Sequence, residues 1–218
     1  MEPLTLISAT PSSFARMNHV ALSLKGIPFK VHYEIPWESK TVTPLYNPLE
    51  QLPVLILPNG RSIYNSAFIQ TYIVEKYADR GPLLLPGDLD GNLDAKQIVA
   101  LCVGSQDAVV QVGWEMRRRE EMQSQKWMDR HLRKVDGAMR AFNSIVEKAE
   151  GKPYVLGNEI TIADIGIVCA VSGIDFTGFR PEWRTQHPVL SKYFDGLYQL
   201  KEFQDTKPVM FDITEEIV

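Results

Sequence analysis

The sequence predicts an α/β unit followed by an all-α unit. Three observations carry this. The first eighty or so residues switch between an apolar period of two and one of three to four, a stretch rich in turn formers then breaks both periods, and almost everything beyond it has helical periodicity. The division this gives is residues 1–80, a linker over 81–93, and a helical unit over 94–218.

Leu4 to Ile7 reads as a short strand, and Pro11-Ser12-Ser13 supplies a turn and a helix start. Met17, Val20, Ala21 and Leu24 then recur at helical spacing up to Gly26, a common residue after a helix end. Phe29, Val31 and Tyr33 alternate with Lys30, His32 and Glu34, as in a strand buried on one face. Val54 to Leu57, the turn Pro58-Asn59-Gly60 and Ser62 to Tyr64 form a hairpin, and Ser66 opens a helix carrying Phe68, Ile69, Tyr72, Ile73 and Tyr77. The order is β-α-β, a loop, then β-β-α. Pro82, Pro86, Gly87 and Gly91 mark the linker. Helices are expected over about Asp94 to Met122, Gln125 to Glu147, Thr161 to Ser172 and Pro188 to Leu200. Thr161 and Asp164 have capping-box spacing, and Ile165 to Val171 is apolar on every side, which predicts the central helix of the second core. Arg117-Arg118-Arg119-Glu120-Glu121 reads as a solvated helix surface with local ion pairs.

Composition narrows the function classes. With 218 residues, 44% apolar and 23% charged, the chain has material for one large or two smaller cores. A net charge of −4 gives no electrostatic reason to expect nucleic acid, whose binding needs a clustered positive surface, so small molecules or proteins are the expected partners. Cys102 and Cys169 sit in apolar helical stretches and read as core residues. No disulfide framework or metal site is suggested, His19, His32, His131 and His187 lack ligand spacing, and a cytoplasmic setting fits. Met1-Glu2-Pro3-Leu4 lacks a basic region followed by an apolar run, and no uncharged stretch approaches the ~20 residues needed to span a bilayer, so no membrane is expected.

Several segments resemble the glutathione S-transferase superfamily. Ser12-Ser13-Phe14-Ala15-Arg16 resembles the S-P-F-x-R segment of its serine-type and bacterial-type members, and Asn47 through Leu55 resembles their N-P-x-x-x-V-P-V-L segment. Tyr154 through Asp164 matches F-L-x-G followed by T-x-A-D, and Trp183 to Pro188 and Phe203 to Pro208 resemble C-terminal segments of the bacterial-type group; zeta-like members are similar too. The resemblance implies a thioredoxin-like N-terminal domain and a helical-bundle domain. It also implies glutathione as co-substrate, a small hydrophobic electrophile as second substrate, and a homodimer.

The implied chemistry is activation of the glutathione thiol. A free thiol, with pKa near 8.5, is only a few per cent ionised at neutral pH. On spacing alone Ser12 reads first as an N-cap; the resemblance places it at the first helix start, where its hydroxyl and the helix end would favour a thiolate. Ser13 stands where the family has proline, which leaves two adjacent hydroxyls, with Phe14 beside them. The resemblance further implies a cis bond before Pro53, with Leu52 pairing its backbone to the ligand, Gln51 and Lys40 as candidates for the glycine carboxylate, and Asn65-Ser66 at the γ-glutamyl end. Asn65 replaces the family's acid, and Asp107 is a candidate to lend a carboxylate across a dimer interface. Thr10, Pro11, Val110, Gln111, Trp114 and Arg118 would line the second-substrate site. Conjugation and reversible-adduct isomerisation are both open to such a site, and a non-catalytic binding module is the rival class.

Overall fold

The computed structural model describes residues 3–218; Met1 and Glu2, part of the N-terminal stretch read above, lie outside them. Strands β1 (Leu4–Ser8), β2 (Phe29–Tyr33), β3 (Val54–Ile56) and β4 (Ser62–Tyr64) form one sheet in the order β2-β1-β3-β4. β1 runs parallel to β2 and antiparallel to β3, which is antiparallel to β4. The parallel pair requires a crossover, supplied by helix α1 (Ser13–Leu24), and helix α2 (Ser66–Lys76) follows β4. This is a thioredoxin-like arrangement, followed by the helical domain: α3 (Leu89–Arg117), α4 (Gln125–Lys148), α5 (Ile162–Thr177), α6 (Trp183–Gln186), α7 (Pro188–Tyr198) and α8 (Lys201–Gln204).

α1 is packed by more than the stripe its periodicity predicts. Met17, Val20 and Ala21 are buried, but so are Ser13, Ala15, Arg16, Asn18 and Leu22, because the helix is held between the sheet and α5. The polar residues among them act as ties between segments. The Arg16 guanidinium donates to the Phe203 carbonyl at 2.8 Å and to Thr206 Oγ1 at 3.1 Å, and lies over the Tyr198 ring. Lys25, only 2% exposed, donates to the carbonyls of Tyr77, Arg80 and Pro82 at 2.8 to 3.0 Å, so its buried charge is satisfied while it fastens the end of α2 and the linker.

α5 is the centre of the second core. Every residue from Ile162 to Ile174 is buried, and α1, α3 and α7 pack around it. The capping box is present: Asp164, fully buried, accepts from the Thr161 N–H at 2.6 Å, the Thr161 hydroxyl at 2.8 Å, the Val155 N–H at 2.9 Å and the Tyr193 hydroxyl at 2.5 Å.

Three local expectations are corrected. α3 begins at Leu89, inside the stretch read as linker, because Asp88 caps it by accepting from the Gly91 N–H at 2.8 Å. Gly91 is there for close packing: a Cβ would meet the Pro86 side chain at 2.7 Å. α3 ends at Arg117, so the charged run is not a helix surface but the α3–α4 corner. There Glu115 accepts from the Ser124 N–H at 2.6 Å, and Arg119 pairs with Glu216 of the C-terminal segment at 3.4 Å. Tyr33 is not on a buried face but 56% exposed, since β2 is an edge strand.

Candidate active site

The strand registers bring separate sequence segments to one edge of the sheet. β1 ends at Ser8, β3 begins at Val54 and β4 ends at Tyr64, with Ile7 opposite Val54 and Val54 opposite Tyr64. The chain leaves β1 after Ser8, enters β3 at Val54 and leaves β4 after Tyr64 at that same edge. The turn into α1, the loop before β3 and the start of α2 therefore share one edge.

Ser12 is the N-cap of α1, with an extended backbone, and its Oγ accepts from the Ala15 N–H at 3.2 Å. Its O–H has no acceptor among the described residues, and neither do the Ser13 and Phe14 N–H groups that open the helix. Ser12 is half-buried. This leaves a free hydroxyl donor at the positive end of a helix. Ser13 differs: it is buried, and its Oγ lies against Gly173 of α5 beside Gln106 of α3, so that a Cβ at Gly173 would collide with both side chains.

The starts of α1 and α2 are fastened together. The Ser66 hydroxyl donates to the Phe14 carbonyl at 2.7 Å, and Asn18 Nδ2 donates to Ser66 Oγ at 3.0 Å and to Phe14 O at 3.1 Å. Ser66 therefore has its hydroxyl proton committed, while its own N–H and that of Ala67 have no partner among the described residues. Asn65 caps α2 through Oδ1, which accepts from the Phe68 N–H at 3.1 Å. Its φ of 73° lies where Asn is tolerated better than most side chains. Its amide Nδ2 is exposed and free.

The Leu52–Pro53 bond is cis. The Leu52 N–H and C=O make no hydrogen bond among the described residues, so this backbone offers one donor and one acceptor at the sheet edge. The loop is held by Asn47, 2% exposed, whose Nδ2 donates to the Gln51 carbonyl at 2.7 Å and whose Oδ1 accepts from the Leu49 N–H at 3.0 Å. The Gln51 side chain is exposed, and so is Lys40, whose charge is felt by Glu215 of the C-terminal segment.

A second cavity lies along α3, beside the C-terminal segment. Trp37, in the loop after β2, meets Trp114 of α3 edge to face with ring centres 4.3 Å apart. A cavity of about 370 Å³ is lined by Gln111, Trp114, Glu115, Arg118 and Val218. It gathers three of the six expected second-substrate residues; Val110 is half-buried on the same helix, and Thr10 and Pro11 belong to the turn before Ser12. Asp107 is exposed on α3, within range of the Lys134 charge on α4. Burial pushes the Cys169 thiol up to about 11 and that of Cys102 well above its ordinary value, so neither is poised as a nucleophile. Among the described residues no group of three or more His, Cys, Asp or Glu could hold a metal ion, and no helix is long and apolar enough to cross a membrane.

Sequence reasoning missed Asn18, Trp37 and the C-terminal segment. For Asn18 a signal existed, since it is a polar residue set beside an apolar helix stripe. Trp37 and the C-terminal segment gain their meaning only from the domain packing.

Residues 11–76 match the family model for the glutathione S-transferase N-terminal domain, and residues 125–196 that for the C-terminal domain. A glutathione S-transferase from Methylobacterium radiotolerans, crystallised with glutathione sulfonate, is 37% identical, with a TM-score of 0.91 and complete coverage of both chains, 100% each. A glutathione S-transferase from Methylobacillus flagellatus, crystallised with glutathione, is 28% identical, with a TM-score of 0.85, covering 94% of this chain and 100% of its own. An uncharacterised GST-like protein of Escherichia coli, YibF, is 27% identical over 205 residues, 94% of this chain and 98% of its own. On the sheet order, the helical second domain and these full-length likenesses, the chain belongs to the glutathione S-transferase superfamily.

Proposed function

We propose that the protein is a glutathione-dependent transferase in which Ser12 stabilises the glutathione thiolate for attack on a small electrophilic carbon. The observation that carries the reading is the Ser12 hydroxyl, with its proton uncommitted at the N-terminus of α1. Ser66 has its proton committed and Ser13 faces the domain interface, so Ser12 is preferred to Ser13 as the activating group, with Phe14 contributing its free N–H. The Leu52 N–H and C=O would pair with the cysteinyl backbone, as one strand pairs with another. The free N–H groups of Ser66 and Ala67 suit the γ-glutamyl carboxylate, and the exposed Gln51 and Lys40 side chains suit the glycine carboxylate. Glutathione and glutathione sulfonate in the two solved relatives support the same ligand class. Thr10, Pro11, Trp37, Val110, Gln111, Trp114 and Arg118 would then meet the second substrate. Reversible-adduct isomerisation uses the same thiolate and is the second reading; two buried free cysteines suit a reducing cytoplasm.

Asn65 is where binding can be tuned. Its Oδ1 is already used as a cap, and its free amide cannot accept from the ligand's ammonium. Asn65→Asp keeps one oxygen for the Phe68 N–H and adds a charged one, and charge-assisted hydrogen bonds contribute roughly 1.5–3 kcal/mol against about 1 for neutral ones. Calorimetry should therefore show glutathione binding to the natural chain and binding about tenfold tighter to Asn65→Asp. No heat of binding in either would sink the reading in favour of a non-catalytic module. An equal affinity would mean that another carboxylate, with Asp107 of a second subunit the candidate, meets the ammonium. That alternative requires the homodimer, for which sedimentation at micromolar concentration should return twice the chain mass.

A further inference from the structure

A further cavity lies wholly within the helical domain, where α4 meets the corner between α6 and α7. Its volume is about 340 Å³, and no residue of the N-terminal domain lines it. Met139 and Trp183, each 1% exposed, form its apolar floor. The rest of the lining is polar. Asp136, its one carboxylate, is already engaged: Arg180 Nε donates to Asp136 Oδ1, Arg180 Nη2 donates to Oδ2 at 3.0 Å, and Arg180 Nη1 donates to the Phe179 carbonyl at 2.9 Å. This bidentate pair cancels the Asp136 charge and fixes the guanidinium of Arg180. The three other polar side chains of the lining are unused. The Arg140 guanidinium, the Gln186 amide and the His187 ring make no hydrogen bond or ion pair among the described residues. Arg140 lies back over Gly137, where an added Cβ would stand 3.9 Å from its Nη2. Burial first, and the Arg140 charge second, hold the His187 imidazole below its ordinary pKa, against the opposing pull of Asp136 and Glu147.

Unengaged donors of like charge tendency thus converge on one concavity whose only acidic group is neutralised. We infer that this cavity is a second ligand site, separate from the glutathione site, for a small organic molecule carrying a carboxylate or phosphate group, with the oxyanion held by Arg140, His187 and the Gln186 amide. The chemistry of the three donors fits one another. The planar fork of Arg140 matches two oxygens of such a group, Gln186 supplies a neutral N–H, and a seated anion offsets the Arg140 charge and so favours the protonated, doubly donating imidazole of His187. Size argues for an organic molecule rather than a bare ion. Small-molecule pockets start at roughly 300 Å³, and the cavity holds about ten times the volume share of one water, roughly 30 Å³. The polar lining argues against an apolar ligand, which would leave Arg140, Gln186 and His187 desolvated without partners. Seated there, the ligand bridges α4 to the α6–α7 corner and stabilises the helical domain alone.

The test is calorimetric titration of the full chain, at about 0.15 M salt so that diffuse surface charge is screened, with succinate, glycerol phosphate, inorganic phosphate and glycerol. The expected result is a dissociation constant below about 1 mM for succinate or glycerol phosphate, at least about tenfold weaker binding of inorganic phosphate, and no heat with glycerol. Whichever of the first two binds more tightly identifies the carboxylate or the phosphate as the preferred group. Arg140→Gln should weaken the better ligand at least about tenfold and His187→Gln about threefold, whereas Arg61→Gln, which removes the same charge from the exposed β3–β4 turn of the other domain, should change it less than about twofold. Arg140 is exposed and His187 half-buried, so both variants are expected to fold, which far-ultraviolet circular dichroism checks. Absence of binding by both organic anions overturns the inference, as does an affinity unchanged in Arg140→Gln or His187→Gln. Equal weakening by Arg61→Gln would show diffuse charge attraction, and inorganic phosphate bound as tightly as the organic anions would show an adventitious ion only; either overturns it. The titration is repeated with glutathione in excess, where the affinity should agree within about twofold. Its loss there would place the anion in the glutathione site and overturn the second site, while a chain that binds the organic anion but no glutathione would remove the proposed function and leave this inference standing.

Discussion

Asp164→Ala should lower the free energy of unfolding by about 3–5 kcal/mol, measured by denaturant titration, the range expected when one partner of a buried charged network is removed. The size follows from what the carboxylate holds. It accepts from two backbone N–H groups, of Val155 and Thr161, and from the Thr161 hydroxyl, all buried, and from the partly buried Tyr193 hydroxyl. Removing it leaves those donors in a dry interior, at about 1–3 kcal/mol for each that finds no substitute. The same change releases the entry to the helix on which α1, α3 and α7 pack, so the loss cannot be confined to one turn. Tyr193→Phe, which removes only the phenol, should cost about 1 kcal/mol. Burial and the Asp164 charge beside it push the ionisation of its hydroxyl up, so it serves as a donor at neutral pH. A loss below about 1 kcal/mol in Asp164→Ala would show that water enters the network, and that α5 is not the rigid centre described above.

The capping box in that network was legible in the sequence because it is local: Thr161 and Asp164 are three residues apart, and the apolar run after them has no alternative but burial, whereas Tyr193, 29 residues from Asp164, was not. The hairpin and the order of the elements were legible for the same reason. Features settled by packing between distant segments were not. Gly91 reads as a helix breaker and proves to be a contact point for Pro86 inside the first turn of α3. Three consecutive arginines read as a helix surface, but a corner pinned by Glu115 redirects one of them to the C-terminal segment. Adjacent Ser12 and Ser13 cannot be distinguished by spacing. Only the position of α5 separates them, by taking the Ser13 hydroxyl into the domain interface and leaving that of Ser12 at the sheet edge. The segments of the candidate site were readable, whereas the division of labour proposed among them was not.

The sharpest consequence concerns that division. On the proposal that Ser12 donates to the sulfur, Ser12→Ala should lower turnover with an electrophile such as 1-chloro-2,4-dinitrobenzene by about 10²–10³, the range for removing one preorganised donor from a developing or stabilised anion. Glutathione affinity by calorimetry should change little, because the proposed site assigns the peptide ends to other groups, the Leu52 backbone and the start of α2. The sign of the pH effect follows directly. In the proposed reading the hydroxyl stabilises the thiolate over the thiol, so its loss should raise the pKa of the bound thiol toward the free value near 8.5, and the variant should recover part of its rate as pH rises through that value. Ultraviolet absorbance of the bound thiolate, titrated against pH, should move upward in the same variant. Stability must be tracked alongside, since Ser12 also caps α1 through the Ala15 N–H, and losing a cap costs about 1 kcal/mol. Ser12→Thr, which retains both cap and hydroxyl, separates the two effects and should keep most of the turnover. Ser13→Ala should leave the thiolate titration where it is, since that hydroxyl lies against Gly173 and Gln106. A thiolate titration that shifts in Ser13→Ala and not in Ser12→Ala would reassign the donor by one residue, and a titration unmoved in both would mean that the helix N-terminus alone holds the sulfur.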